Sequence, residues 1–134
     1  MSSTLVMKFG GTSVGTPEAM AQAVKNIQKS KEEGMDVVVV TSALSGITNL
    51  LTESTARAIQ GDEKFIEQTK ADLVEKHLFI VEKLIANLAQ KAEIQKEIEG
   101  LSKEFGRLCH AISILGEATP RALDAVVSLG ERFS

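Results

Sequence analysis

Tryptophan and tyrosine are absent from this 134-residue chain, and phenylalanine occurs only five times. A core built from it must be aliphatic, and the aromatic platforms on which single-stranded nucleic acid stacks are scarce. Cysteine occurs once, at Cys109, which excludes an intrachain disulfide and a cysteine-based zinc cluster. That usage fits a reducing compartment, and a cytoplasmic location is expected. A basic excess is missing as well: 15 lysines and arginines against 18 aspartates and glutamates give a net charge of −3. Phosphate-backbone binders usually carry the opposite sign, so nucleic acid is not an expected partner, although a local cradle can still hold a small anion. Apolar runs such as residues 37–40 fall far short of the ~20 residues that span a bilayer. The N-terminal MSSTLVMKFGG lacks the basic region and apolar core of a secretion signal. No membrane partner is expected. With 43% apolar and 25% charged residues, the remaining composition is that of an ordinary globular domain.

Thr4–Phe9 (TLVMKF) is a short apolar run ended by Gly10 and Gly11, and predicts a buried strand. Thr16, Pro17 and Glu18 predict a helix start: the threonine caps, the proline suits the first helical position, and the glutamate favours the positive helix end. That helix carries Met20, Ala23, Val24 and Ile27 on one face and is expected to stop near Gly34. Residues 36–42 (DVVVVTS) are β-branched without alternation, the pattern of a strand covered on both faces. Strand, glycine loop, helix and strand make a βαβ unit, which calls for parallel neighbours and a right-handed crossover. The fold class expected is α/β, with an open parallel sheet.

Helical patterns follow. A short helix is expected over residues 46–59, and a long one over 62–90 with Ile66, Leu73, Ile80, Leu84 and Leu88 inward. After a bend at 90–93, Ile94, Ile98, Leu101, Phe105, Leu108, Ile112 and Leu115 form an a/d heptad seam. Two such helices predict a long antiparallel hairpin inserted after the βαβ unit. Thr119 and Pro120 start a last helix carrying Leu123, Val126, Val127 and, beyond Gly130, Phe133. Two strands are fewer than the ~4–6 of a typical sheet, so the chain is expected to be the opening portion of a larger domain.

Residues 8–15 (KFGGTSVG) lie at a strand C-terminus just before a helix, the edge at which open α/β sheets bind ligands. Gly10 and Gly11 let the backbone approach a ligand with amides free for phosphate oxygens. Thr12 and Ser13 add hydroxyls, and Lys8 adds a compact cation. This is not a Walker A loop, since Thr16 and Pro17 follow Gly15, nor a dinucleotide fingerprint, since Thr12 stands at the middle glycine position. Phosphate binding and a plain strand-to-helix turn are both open on the residues alone. A second loop, residues 41–49 (TSALSGITN), closes the other parallel strand and should face the first. Its Ser42, Ser45 and Thr48 can orient an anion or cap the next helix. Glu131 is the third candidate. His77, on the inward face of its helix, reads as a core histidine, His110 lies off the seam, and Cys109 reads as a small buried hydrophobe. No metal-ligand spacing is present.

Taken together, KFGGTSVG, TSALSGITN and SILGEATPRALDAVVSLGERFS resemble, in that order, the motif blocks of aspartate kinases within the amino acid kinase superfamily. The resemblance covers essentially the whole chain. It implies ATP-dependent phosphorylation of the L-aspartate side-chain carboxylate to 4-phospho-L-aspartate, the entry step to lysine, threonine and methionine synthesis. By match to the first block, Lys8 would neutralise the transferring phosphoryl group, while Gly10, Gly11 and Ser13 would hold the phosphates. Thr48 matches the residue that touches aspartate, and Glu131 the acid that holds its ammonium group, with Val127 nearby and Ser42 a weaker match. ATP and Mg²⁺ are implied, the metal held mainly by phosphates and by residues outside this sequence. The resemblance also implies that residues 1–134 are the N-terminal portion of a catalytic domain, without its nucleotide-binding half and the ACT domains. This piece alone is then expected to be inactive, and the full-length form to be a homo-oligomer. Two other readings compete: a kinase of the same fold acting on glutamate, acetylglutamate or carbamate, and a non-catalytic module whose heptad hairpin binds a partner helix.

Overall fold

Strand β1, Thr4–Phe9, and strand β2, Asp36–Thr41, pair in parallel, from Thr4 opposite Asp36 to Phe9 opposite Thr41. The structure is a computed structural model that describes residues 3–134. Met1 and Ser2, part of the stretch read for a secretion signal, lie outside the described residues. Between the strands run α1, Gly11–Val14, and α2, Pro17–Glu32. Thr16 caps α2 by accepting from the Ala19 amide at 3.1 Å, with Pro17 at the first position. Gly34, at φ +83°, then turns the chain into β2. The strand–helix–strand order and the parallel pairing are as expected, with one addition: residues 11–14 of the glycine segment wind into the single turn α1.

The valine run departs from expectation. Leu5, Met7 and Phe9 are half-buried, whereas Val6, Val38 and Val40 are 63%, 49% and 45% exposed. Residues opposite each other on parallel strands share a face, so these three valines form one bare surface. A crossover helix covers only the face on which it returns, and among the described residues no other element covers the second.

The rest is helical: α3, Ile47–Ile59; α4, Glu63–Leu84; α5, Leu88–Leu115; α6, Pro120–Val127; and α7, Leu129–Phe133. Asp62 caps α4 through the Phe65 amide at 3.1 Å, and Thr119 caps α6 through the Ala122 amide at 3.1 Å. Helices α4 and α5 form the inserted hairpin and pack on each other and on α3. Its bend lies earlier than predicted. Helix α4 stops at Leu84, and Asn87 caps α5 by accepting from Gln90 N at 3.0 Å. Leu88, expected inward on the preceding helix, is instead 80% exposed at the start of α5. The heptad seam is also modified. Ile98, Phe105 and Ile112 are buried together with Ser102 and Cys109, while Leu115 is 72% exposed. A straight helix drifts from a 3.5-residue repeat by ~20° per heptad, so the contact line rotates off its predicted end. The centre of the seam is covered by α3 and α4 and is not free for a partner helix.

The core lies where α3, α4, α5 and α6 meet, around Leu51, Leu73, Phe105 and Val126, each 0% exposed. Among the described residues, no helix is long and apolar enough to cross a membrane.

Candidate functional site

Parallel pairing brings the C-terminal ends of both strands to one edge, and the two loops that leave them are bonded there. The Ser42 amide donates to the Phe9 carbonyl at 3.1 Å, and the Ser45 amide donates to the Gly11 carbonyl at 3.2 Å. The approach depends on glycine. A Cβ at Gly11 would lie 2.9 Å from the Ala43 oxygen, and one at Gly15 would lie 2.7 Å from the Gly11 oxygen and 3.2 Å from Ser45 Cβ. The second loop thus faces the first, as parallel topology predicts.

The chain's last segment joins them. Gly130 does not end a helix but lies buried inside α7, where a Cβ would stand 2.9 Å from Ala43 Cβ and 3.4 Å from Ile47 Cγ2. Thr41 and Ser134 share a hydroxyl–hydroxyl hydrogen bond of 3.3 Å. All three sequence blocks therefore meet at the strand ends, with Glu131 next to Gly130 and Thr48 next to Ile47.

Around this junction the polar side chains are open. Lys8, opposite Val40 on β2, is exposed, as are Ser13, Thr48 and Glu131. Among the described residues none of these four side chains has a hydrogen bond or ion pair. Gly10, exposed and extended at φ −78°, ψ 174°, precedes α1; the Ser13 amide donates to its carbonyl at 3.0 Å, and the amides of Gly11 and Thr12 have no acceptor within the helix. The hydroxyls of the second loop do not cap α3. Gly46, at φ +83°, takes the cap position with no side-chain bond, leaving Thr48 Oγ1 unused, while Ser42 Oγ donates to the Ala43 carbonyl at 3.1 Å. Val127 stands apart from the exposed set. It is half-buried in α6 and packs against the hydrophobic core.

Helix α4 contributes two residues beside the junction. Lys76 donates from Nζ to the Ser45 carbonyl at 2.5 Å. This contact spans 31 positions, and no local pattern announces it. His77 is 3% exposed and stacks on Phe133 with ring centroids 4.8 Å apart. Its Nδ1 lies 2.6 Å from the Leu73 carbonyl, which can only accept, so the proton sits on Nδ1. Nε2 is buried without a partner among the described residues. Burial holds the imidazole pKa below its ordinary value; the Leu73 bond opposes this and the nearby Lys76 charge adds to it. Further out, Arg132 bonds Glu104 of α5 at 2.9 Å and draws that carboxyl below its ordinary pKa. The pair ties α7 to the hairpin.

No group of three or more His, Cys, Asp or Glu side chains that could hold a metal ion occurs among the described residues. Hydroxyls, amides and a lysine, by contrast, suit oxyanions. Lys8, the loop amides and the Ser13 hydroxyl can neutralise and orient an oxyanion, and the Glu131 carboxylate can accept from a cationic group.

Comparison with known proteins identifies the family. The profile of the amino acid kinase family matches residues 3–134. The aspartokinase of Candida albicans is 35% identical over 97% of this chain, which covers 24% of that protein. Aspartokinase 3, chloroplastic, of Arabidopsis thaliana is 33% identical over 98% of the chain, or 22% of its own length. Among solved structures, Escherichia coli aspartokinase III in complex with lysine and aspartate superposes with a TM-score of 0.78 at 29% identity, covering 98% of this chain and 26% of that one. The same enzyme in complex with aspartate and ADP gives 0.77 at 27% identity. The chain thus spans about a quarter of the length of these relatives.

Proposed function

The chain belongs to the amino acid kinase family, and from that premise we propose that it forms the opening part of the catalytic domain of an aspartate kinase. In the full-length protein the reaction would transfer the γ-phosphoryl group of ATP to the side-chain carboxylate of L-aspartate, giving 4-phospho-L-aspartate and ADP. The observation that carries this reading is the meeting of three sequence-distant segments at one sheet edge, where Lys8, Ser13, Thr48 and Glu131 are exposed and, among the described residues, unpartnered. The aspartokinase relatives, and a structural neighbour solved with aspartate and ADP, support it.

The chemistry suits such a site. A carboxylate nucleophile with an ordinary pKa of ~3.9 is already ionised at neutral pH, so no general base is required. Catalysis reduces to aligning two anions and neutralising charge as it spreads over the phosphoryl oxygens. Lys8 supplies that positive charge at the end of β1. The backbone at Gly10 and Gly11 and the Ser13 hydroxyl hold phosphate oxygens. Thr48 contacts aspartate, Ser42 lines the same loop, and Glu131 accepts from the substrate's ammonium group and so selects an amino acid over a plain diacid. Val127 supports that end from α6. Mg²⁺ shields the phosphate charges in reactions of this class. It would be held mainly by the nucleotide's phosphates and by residues outside this sequence. We place the enzyme in the cytoplasm as a homo-oligomer.

The test is acyl-phosphate formation by the full-length protein, trapped as the hydroxamate, with L-aspartate and Mg-ATP. Lys8→Ala should lower turnover by about 10²–10³-fold, the scale of removing one charge-stabilising donor. Because Lys8 has no hydrogen bond or ion pair among the described residues, its loss should leave stability within about 0.5 kcal/mol. Preferential turnover of glutamate, acetylglutamate or carbamate would overturn the choice of acceptor. Unchanged turnover in Lys8→Ala would remove that residue from the site.

A further inference from the structure

The inserted hairpin reaches the candidate site through two consecutive residues of α4. Lys76 holds the Ser45 carbonyl, while the amide of the same serine donates to Gly11 at 3.2 Å. A continuous link therefore runs from α4 through Ser45 to the glycine loop. The next residue, His77, stacks on Phe133 with an interplanar angle of 27°, and Phe133 lies two residues beyond Glu131. Consecutive residues of a helix with 3.6 residues per turn point ~100° apart. Neighbours in sequence can therefore hold two different segments. The ring is itself fixed, since Nδ1 bonds the Leu73 carbonyl one turn earlier at 2.6 Å.

We propose that Lys76 and His77 are positioning residues, which together set the separation between the Ser45 loop, which leads into Thr48 at the start of α3, and the segment carrying Glu131. A residue that merely filled space at position 76 would need no charge, and this one secures a carbonyl that would otherwise face water. The inserted hairpin then acts as a brace for aspartate binding. This inference rests on the proposed aspartate site, and one arm of its test is independent of that site.

In the full-length protein, Lys76→Met and His77→Ala should each raise the KM for aspartate about tenfold, the scale of one lost charge-assisted contact. The kcat should change far less. Lys76→Arg keeps the donor and His77→Phe keeps the stack, so both should restore KM. A wild-type KM in Lys76→Met would overturn the proposal. So would a parallel loss of kcat, KM and thermal midpoint that the conservative variants do not rescue, because that is the mark of a general packing role. Hydrogen exchange supplies the independent arm. Amides of residues 45–49 and 129–134 should exchange faster in Lys76→Met whatever the substrate proves to be, and unchanged exchange at both would overturn the brace. If the wild-type protein phosphorylates no aspartate, the substrate reading fails while the exchange result still decides the role of α4.

Discussion

A Cβ at Gly11 would meet the Ala43 oxygen at 2.9 Å and the Ser45 nitrogen at 3.1 Å, whereas one at Gly10 would meet nothing within 4 Å. The neighbours of Gly11 are backbone atoms of a bonded loop and cannot swing aside. Gly11→Ala should therefore lower stability by about 1–3 kcal/mol, read from the denaturant midpoint, and Gly10→Ala by no more than about 0.5 kcal/mol. Equal effects would mean that the loops are not in contact. His77 sets a pH dependence. Burial depresses its pKa from an ordinary 6.5, against the Leu73 bond and with the help of the Lys76 charge. The unfolded chain takes up a proton near pH 6.5 while the folded chain resists it. Stability is thus fully present above about pH 7 and declines as pH falls below 6.5. Thermal midpoints between about pH 8 and pH 5 should show that decline, and His77→Phe should flatten it. An equal slope in the variant would assign the decline to other groups.

Among the elements, those fixed by neighbouring residues were legible in the sequence. Thr16 with Pro17 and Thr119 with Pro120 start helices where their capping chemistry says they should, and the β-branched run after Gly34 forms the parallel strand. The bend at residues 85–87 was hidden because Leu84, Ile85 and Leu88 continue the apolar pattern across it. The signal that breaks the pattern is local too: Asn87 followed three residues later by Gln90, a cap residue with its reciprocal partner type. The candidate site was legible in part. Lys8, Gly11 and Ser13 announce themselves by their place between strand and helix, and Thr48 and Glu131 by resemblance to known motifs. Lys76 could not be seen, because a contact over 31 positions leaves no periodic trace. Nor could the packing role of Gly130, which exists only once α7 lies on α3. Within the hairpin, Cys109 is 1% exposed, and burial pushes its thiol pKa up to about 12. Thiolate is the reactive form, so a thiol reagent at about pH 8 should leave the native chain unlabelled and react on unfolding. Rapid labelling of the native chain would show that α5 opens locally from its neighbours.

For the molecule as a whole, the bare face of Val6, Val38 and Val40 lies on a two-stranded sheet with open edges. Exposed apolar strands are templates for association. This chain should gain sedimentation mass as its concentration rises, and Val38→Lys should return it toward the monomer. No response to that substitution would place the contact elsewhere. A different consequence follows from the hydrogen bond between Thr41 and Ser134, whose partners are 93 positions apart. Closing so long a loop is entropically unfavourable until other structure shortens it, and contacts local in sequence form sooner than distant ones. The α4–α5 hairpin, whose contacts span shorter separations such as the 32 positions between Ser102 and Lys70, should be in place before the glycine loop meets the C-terminal segment. During synthesis the ribosome therefore delivers the hairpin before the residues around Glu131. A nascent chain arrested before residue 131 should already hold the α4–α5 hairpin, yet lack the segment that α7 brings to the strand ends.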